Sequence, residues 1–129
     1  MTHSASRIPD SRALTESEVT VVRWLLEHGG PEANEFLPQL GQATVVSRCS
    51  CGCASIDFSI SGKRPTDPAM HILSDFQWHD AQGNLFGAFV FEQQGLLAGL
   101  DLWSIDGLAT PSGLPPVEAL VPCGSWQQA

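Results

Sequence analysis

The chain predicts an α+β fold: two N-terminal helices packed on one face of an antiparallel meander of about five strands, ending in an extended proline-rich arm. Three observations carry this reading. A capped helical pattern occupies residues 14–30. Alternating or β-branched segments joined by short turns fill 42–103, with no room for a helix between them. Four prolines then crowd the stretch from Pro111 to Pro122, which a central strand would not tolerate.

Residues 1–13 are polar and lack periodicity, so they read as a loose N-terminus before a single domain over 14–122. The first helix starts at Thr15, where Thr15 and Glu18 form a capping box flanked by Leu14 and Val19 as a hydrophobic staple. Val19, Val22, Leu25 and Leu26 recur at helical spacing, His28 suits the negative end of the dipole, and Gly29-Gly30 ends the helix. Pro31 opens a second short helix to Leu37, limited by Pro38.

The strands are expected at Gln42–Arg48, Ala54–Ile60, Met70–Trp78, Leu85–Phe91 and Leu96–Trp103. Ser61 to Pro68 is a loop by composition, Asp80 to Asn84 a turn, and Gln93-Gln94-Gly95 a tight hairpin. Gly87 and Gly99 mark bulges, or places where a ring or helix approaches the backbone. Leu108, Leu114, Leu120 and Val121 would anchor the arm on the domain, with one helical turn near Val117. Residues 123–129 form a C-terminal tail. The first or the fifth strand would be a sheet edge, open to homodimer pairing or covered by the arm.

Six basic against fourteen acidic residues give a net charge of −8, which disfavours nucleic acid and anionic membrane surfaces as partners. No window of about 18 apolar residues suggests a membrane span, and Met1–Asp10 lacks the apolar core of a secretory signal. Cytoplasmic residence follows as the expectation. In that compartment the four cysteines are expected as thiols or metal ligands rather than disulfides, with a bridge from Cys123 to one of the other three as the alternative in an oxidising setting.

Three of the four cysteines, Cys49, Cys51 and Cys53, fall within five residues at the mouth of the cleanest alternating strand. An extended backbone would place them on one face, about 7 Å apart in succession. Grouped thiolates suit a soft metal, zinc being the cofactor alternative, with Cys123, His71 or His79 as fourth ligand. The usual pair of C-x2-C to C-x4-C spacings is missing, so burial of three small residues is the competing explanation. A nucleophilic cysteine would need a base and a nearby cation; Arg48 adjoins Cys49, but no protease or transferase signature surrounds it.

Other groupings are weaker. His71, Asp75 and His79 share strand parity, yet positions four apart on a strand lie about 13 Å apart, too far for one ion. Asp57 and Asp101 fall on the polar parity of their strands and read as solvent-facing. Trp24 and Trp78 read as core. Trp103, on the parity of Asp101 and Gly99, is the aromatic expected at an interface, with Asp101 beside it.

The segments Cys51–Phe58, Gly95–Ser104 and Leu114–Pro116 together resemble a family of small uncharacterised bacterial proteins. The resemblance covers roughly residues 14–122 and implies one intact domain of bacterial cytosolic origin; it carries over no activity and no catalytic residue. The function expected from the residues is a non-catalytic interaction or structural module, of the immunity or adaptor kind, with a protein partner. The alternative is a metal- or thiol-dependent protein built on Cys49, Cys51 and Cys53.

Overall fold

The computed structural model describes residues 7–122. Local signals become elements much as their chemistry dictates. Thr15 caps α1 (Glu16–His28): Glu18 N–H donates to Thr15 Oγ1 at 3.1 Å, and Thr15 N–H donates to the Glu18 carboxylate at 2.9 Å. Val22, Leu25 and Leu26 carry the helix's buried stripe.

The second helix departs from expectation. Instead of one segment to Leu37, two short ones form, α2 (Pro31–Asn34) and α3 (Leu37–Leu40). Pro38 cannot continue the preceding turn, but it is well suited to starting a new one.

Among the described residues, seven strands make a single antiparallel sheet in the order β1-β2-β3-β6-β5-β4-β7. They are β1 (Arg7–Ala13), β2 (Ala43–Cys49), β3 (Ile56–Ile60), β4 (His71–His79), β5 (Leu85–Gln93), β6 (Leu96–Ser104) and β7 (Val121–Pro122). The expected α+β class holds, but the strand count was too low by two. β1 occupies a stretch read as loose. It has no apolar period and is held instead by its ladder to β2 and by charged contacts: Arg12 to Glu18 and Arg7 to Asp57. Pro9 is tolerated there because the strand lies on the sheet edge. β7 comes from the proline-rich arm, which pairs Val121 with Gln77 and Pro122 with Phe76 on β4. A short 3₁₀ turn at Val117–Ala119 precedes it.

The sheet is not a simple meander. β4, β5 and β6 are consecutive neighbours, but β3 pairs with β6 rather than with β4. The connection from Ser61 to Met70 therefore passes across the sheet, pinned where Gln94 Oε1 accepts from the Thr66 and Asp67 N–H groups. Gln94 and Gly95 both adopt positive φ, the two-residue turn that matches strand twist, between β5 and β6. The expected edges are also corrected: the strand after the helices is covered by β1, and the last long strand is central, between β3 and β5.

The helices lie on one face of this sheet, α1 against β4 and β5 and α3 against β6. Phe58, Leu97, Leu100 and Leu102 are fully buried between the layers. On β5, Gly87 exists because the Trp103 indole lies directly over it, so that a Cβ would collide with the ring; Gly99 makes the same room for Phe91. No helix among the described residues is long and apolar enough to cross a membrane.

Candidate metal centre

β2 ends at Cys49 and β3 begins at Ile56, so the clustered cysteines span the last residue of β2 and the loop of the β-hairpin that follows it. The chain there is turned, not extended. Gly52 sits at φ +95°, a left-handed conformation costly for any side chain, and nothing lies within 4 Å of where its Cβ would be. The turn abolishes the separation of about 7 Å that an extended backbone imposes. Cys49 Sγ and Cys51 Sγ are 2.8 Å apart, Cys51 Sγ and Cys53 Sγ 3.0 Å, and all three sulfurs lie within 4.8 Å of one another. Cys51 N–H donates to Cys49 Sγ, and Cys53 N–H to Cys51 Sγ, each at 3.4 Å.

The loop is anchored on both sides. The Cys53 thiol donates to Ser55 Oγ at 3.3 Å. Ser55, itself buried, donates to Leu102 O at 3.1 Å and accepts from Leu102 N–H at 2.8 Å, so its hydroxyl replaces a backbone rung between the loop and β6. Ala54 N–H donates to Pro111 O at 3.0 Å, tying the loop to the arm. Ser55 is the residue that sequence reasoning missed. It shares strand parity with Asp57, on the side that reads as polar, and no local pattern reveals that a serine will substitute for a ladder hydrogen bond.

Cys49 is 1% exposed and Cys53 8%, whereas Cys51 is open to solvent. Burial, reinforced by the neighbouring sulfurs, pushes the Cys49 thiol up to about 12. Burial acts in the same direction on Cys51, but the thiols of Cys49 and Cys53 and nearby backbone N–H groups outweigh it, so its pKa is lowered. The trio thus has a thiolate-prone centre between two shielded flanks. Arg7 stands opposite Cys49 in the β1–β2 ladder and Arg48 precedes it; each also reaches a carboxylate, Asp57 at 3.4 Å and Asp10 at 3.7 Å.

The donor set fits a thiophilic cation. With Zn–S near 2.3 Å, tetrahedral coordination needs sulfurs about 3.8 Å apart, so the two short edges must open by about 0.8–1.0 Å. A turn with free space at Gly52 can supply that movement. Of the expected fourth ligands, the two histidines are not brought in among the described residues. His71 sits on β4, held between Glu32 at 3.4 Å and Glu92 at 3.3 Å, and pairs with Glu92 beside the β5–β6 hairpin. His79 ends β4, separated from β3 by β5 and β6. Neither histidine belongs to the group of donors formed by Cys49, Cys51 and Cys53 among the described residues. Cys123 and Trp126 lie outside the described residues.

The other expected site residues stay apart from this centre. Trp103 is 37% exposed, its indole lying against Gly87, its partner on the adjacent β5. Asp101 is not solvent-facing as its parity suggested but 6% exposed, directly opposite Phe89 on β5, on a face of the central strands that also carries Phe91 and Trp103. Asp57 accepts from Ser47 Oγ at 2.7 Å and lies opposite Gly99, two positions from Asp101 along β6. His71, Asp75 and His79 remain spread along β4.

Comparison with family models, with curated proteins and with solved structures finds no match to this chain. The functional reading therefore rests on the geometry of the cysteine turn.

Proposed function

We propose that this protein binds a soft d¹⁰ cation, zinc in the first instance, through Cys49, Cys51 and Cys53, and works in a reducing, cytoplasmic setting where those thiols persist. The observation that carries this is the gathering of three sulfurs within 4.8 Å by a turn anchored at Ser55 and Pro111. Two buried thiols hold the cation and the exposed Cys51 gives it a route in and out. A three-thiolate set leaves one position for water or an exchanging ligand, the arrangement of a site that transfers or uses its metal. The interaction-module expectation rests on the lack of catalytic motifs, the acidic charge and the compact sheet, none of which names a site; the gathered thiols favour the metal reading over it.

The test is a titration of reduced, untagged protein with Zn(II), read by competition with a chromophoric chelator. Stoichiometric binding that is lost in Cys51→Ser, with a rise in thermal stability on loading, is the expected outcome. Less than about 0.1 zinc per chain in the presence of excess metal would sink the proposal.

A further inference from the structure

We infer that the same three thiols are a peroxide-driven release device, in which Cys51 closes a disulfide on a flanking cysteine and so expels the metal. The inference rests on the metal-thiolate reading above. Its geometry is independent of any ion. Cys51 Sγ lies 2.8 Å from one thiol and 3.0 Å from another, so less than about 1 Å of travel reaches the S–S bond length from these separations, and about 1.7 Å from the spacing of about 3.8 Å that a bound zinc requires. Cys51 is the exposed member, while Cys49 and Cys53 are buried. An oxidant from solvent therefore meets Cys51 first, and a resolving thiol stands on each side of it. The open space around Gly52 permits the turn to tighten.

The chemistry balances with a hydroperoxide as oxidant. The Cys51 sulfur attacks the peroxide oxygen, the O–O bond breaks, and Cys51 becomes a sulfenic acid as hydroxide leaves. The neighbouring sulfur, a thiolate while it holds the cation, then attacks the Cys51 sulfur, the S–O bond breaks, and a second hydroxide departs. In sum, two metal-bound thiolates and one hydrogen peroxide give one disulfide and two hydroxides, which take two protons from solvent and become water. Two of three ligands are consumed, and a single remaining thiolate cannot retain the cation. A thiol reductant reverses the step and restores the site.

The experiment uses the full chain carrying Cys123→Ser, so that only the three clustered thiols remain, loaded with Zn(II) alone and treated with hydrogen peroxide. Released zinc is followed with a chromophoric chelator, and the disulfide is located by peptide mass spectrometry. Expected are loss of two hydrogens, a disulfide that contains Cys51, release of zinc in step with it, and recovery of binding after dithiothreitol. Cys51→Ser should form any disulfide at least about tenfold more slowly, whereas Cys53→Ser still closes Cys51 on Cys49. A Cys49–Cys53 disulfide as the product, a Cys51→Ser variant that oxidises at the parent rate, or oxidation that leaves zinc bound overturns the inference. Zinc binding with no peroxide response defeats the release device alone. A reduced parent chain, Cys123 included, that takes up no zinc defeats the metal reading, and with it the release step, whatever disulfide then forms.

Discussion

At the scale of single residues, Ser55 does more for the cysteine turn than its unremarkable place in the sequence suggests. Its hydroxyl both donates to and accepts from Leu102, and its Oγ receives the Cys53 thiol. Removing it orphans a buried N–H and a buried carbonyl at the base of the site. Ser55→Ala should therefore cost about 1–3 kcal/mol in urea unfolding, while the exposed neighbour Ser50→Ala should stay within about 0.5 kcal/mol. Equal effects from the two substitutions would show that the hydroxyl is not an anchor. Cys49 teaches the complementary lesson: cysteine is readily buried, and this one is, yet burial and gathering are the same event here, because the turn that buries Cys49 and Cys53 also brings Cys51 between them.

At the scale of elements, β1 and α1 are joined by one fork of charge. Arg12 Nη1 and Nη2 donate to the two Glu18 oxygens at 2.8 and 2.9 Å, while Glu18 also completes the Thr15 cap. Burial alone would raise the Glu18 pKa, but the Arg12 hydrogen bonds and the Thr15 N–H prevail and hold it below the ordinary value. A carboxyl depressed in the folded state adds stability above its unfolded pKa and loses it as pH falls through the folded one. Glu18→Gln should thus lose about 1–2 kcal/mol at neutral pH and show a flatter decline in unfolding free energy between about pH 6 and pH 3. An acid limb as steep as the parent's would place the titrating group elsewhere. The capping box was visible in the spacing of Thr15 and Glu18; the arginine was not, because its strand carries no pattern of its own.

At the scale of the whole molecule, the arm closes what the sheet leaves open. It runs along α1, buries Leu120, packs Leu114 and Val117 against the core, and ends as β7 on the edge of β4. Truncation after Gly113 should remove about 4 kcal/mol of apolar burial and expose a strand edge, lowering the melting temperature and producing concentration-dependent association in size-exclusion chromatography. A truncated chain that melts as the parent does would make the arm an appendage. What the residues determined alone was whatever acts over a few positions: the capped helix, the alternating strand Ile56–Ile60, the Gln94-Gly95 turn and the α+β class. Partners distant in sequence were decided only in three dimensions: β3 beside β6, β1 and β7 added at the edges, Asp101 buried, the two histidines left away from the cysteines. The cysteine run shows both halves. Its composition is plain in the sequence, but the distance between its sulfurs is set by one left-handed glycine and one serine bonded to a strand 47 residues away. Spacing along a chain converts to distance only once the backbone has chosen between extending and turning, and here long-range anchoring made that choice.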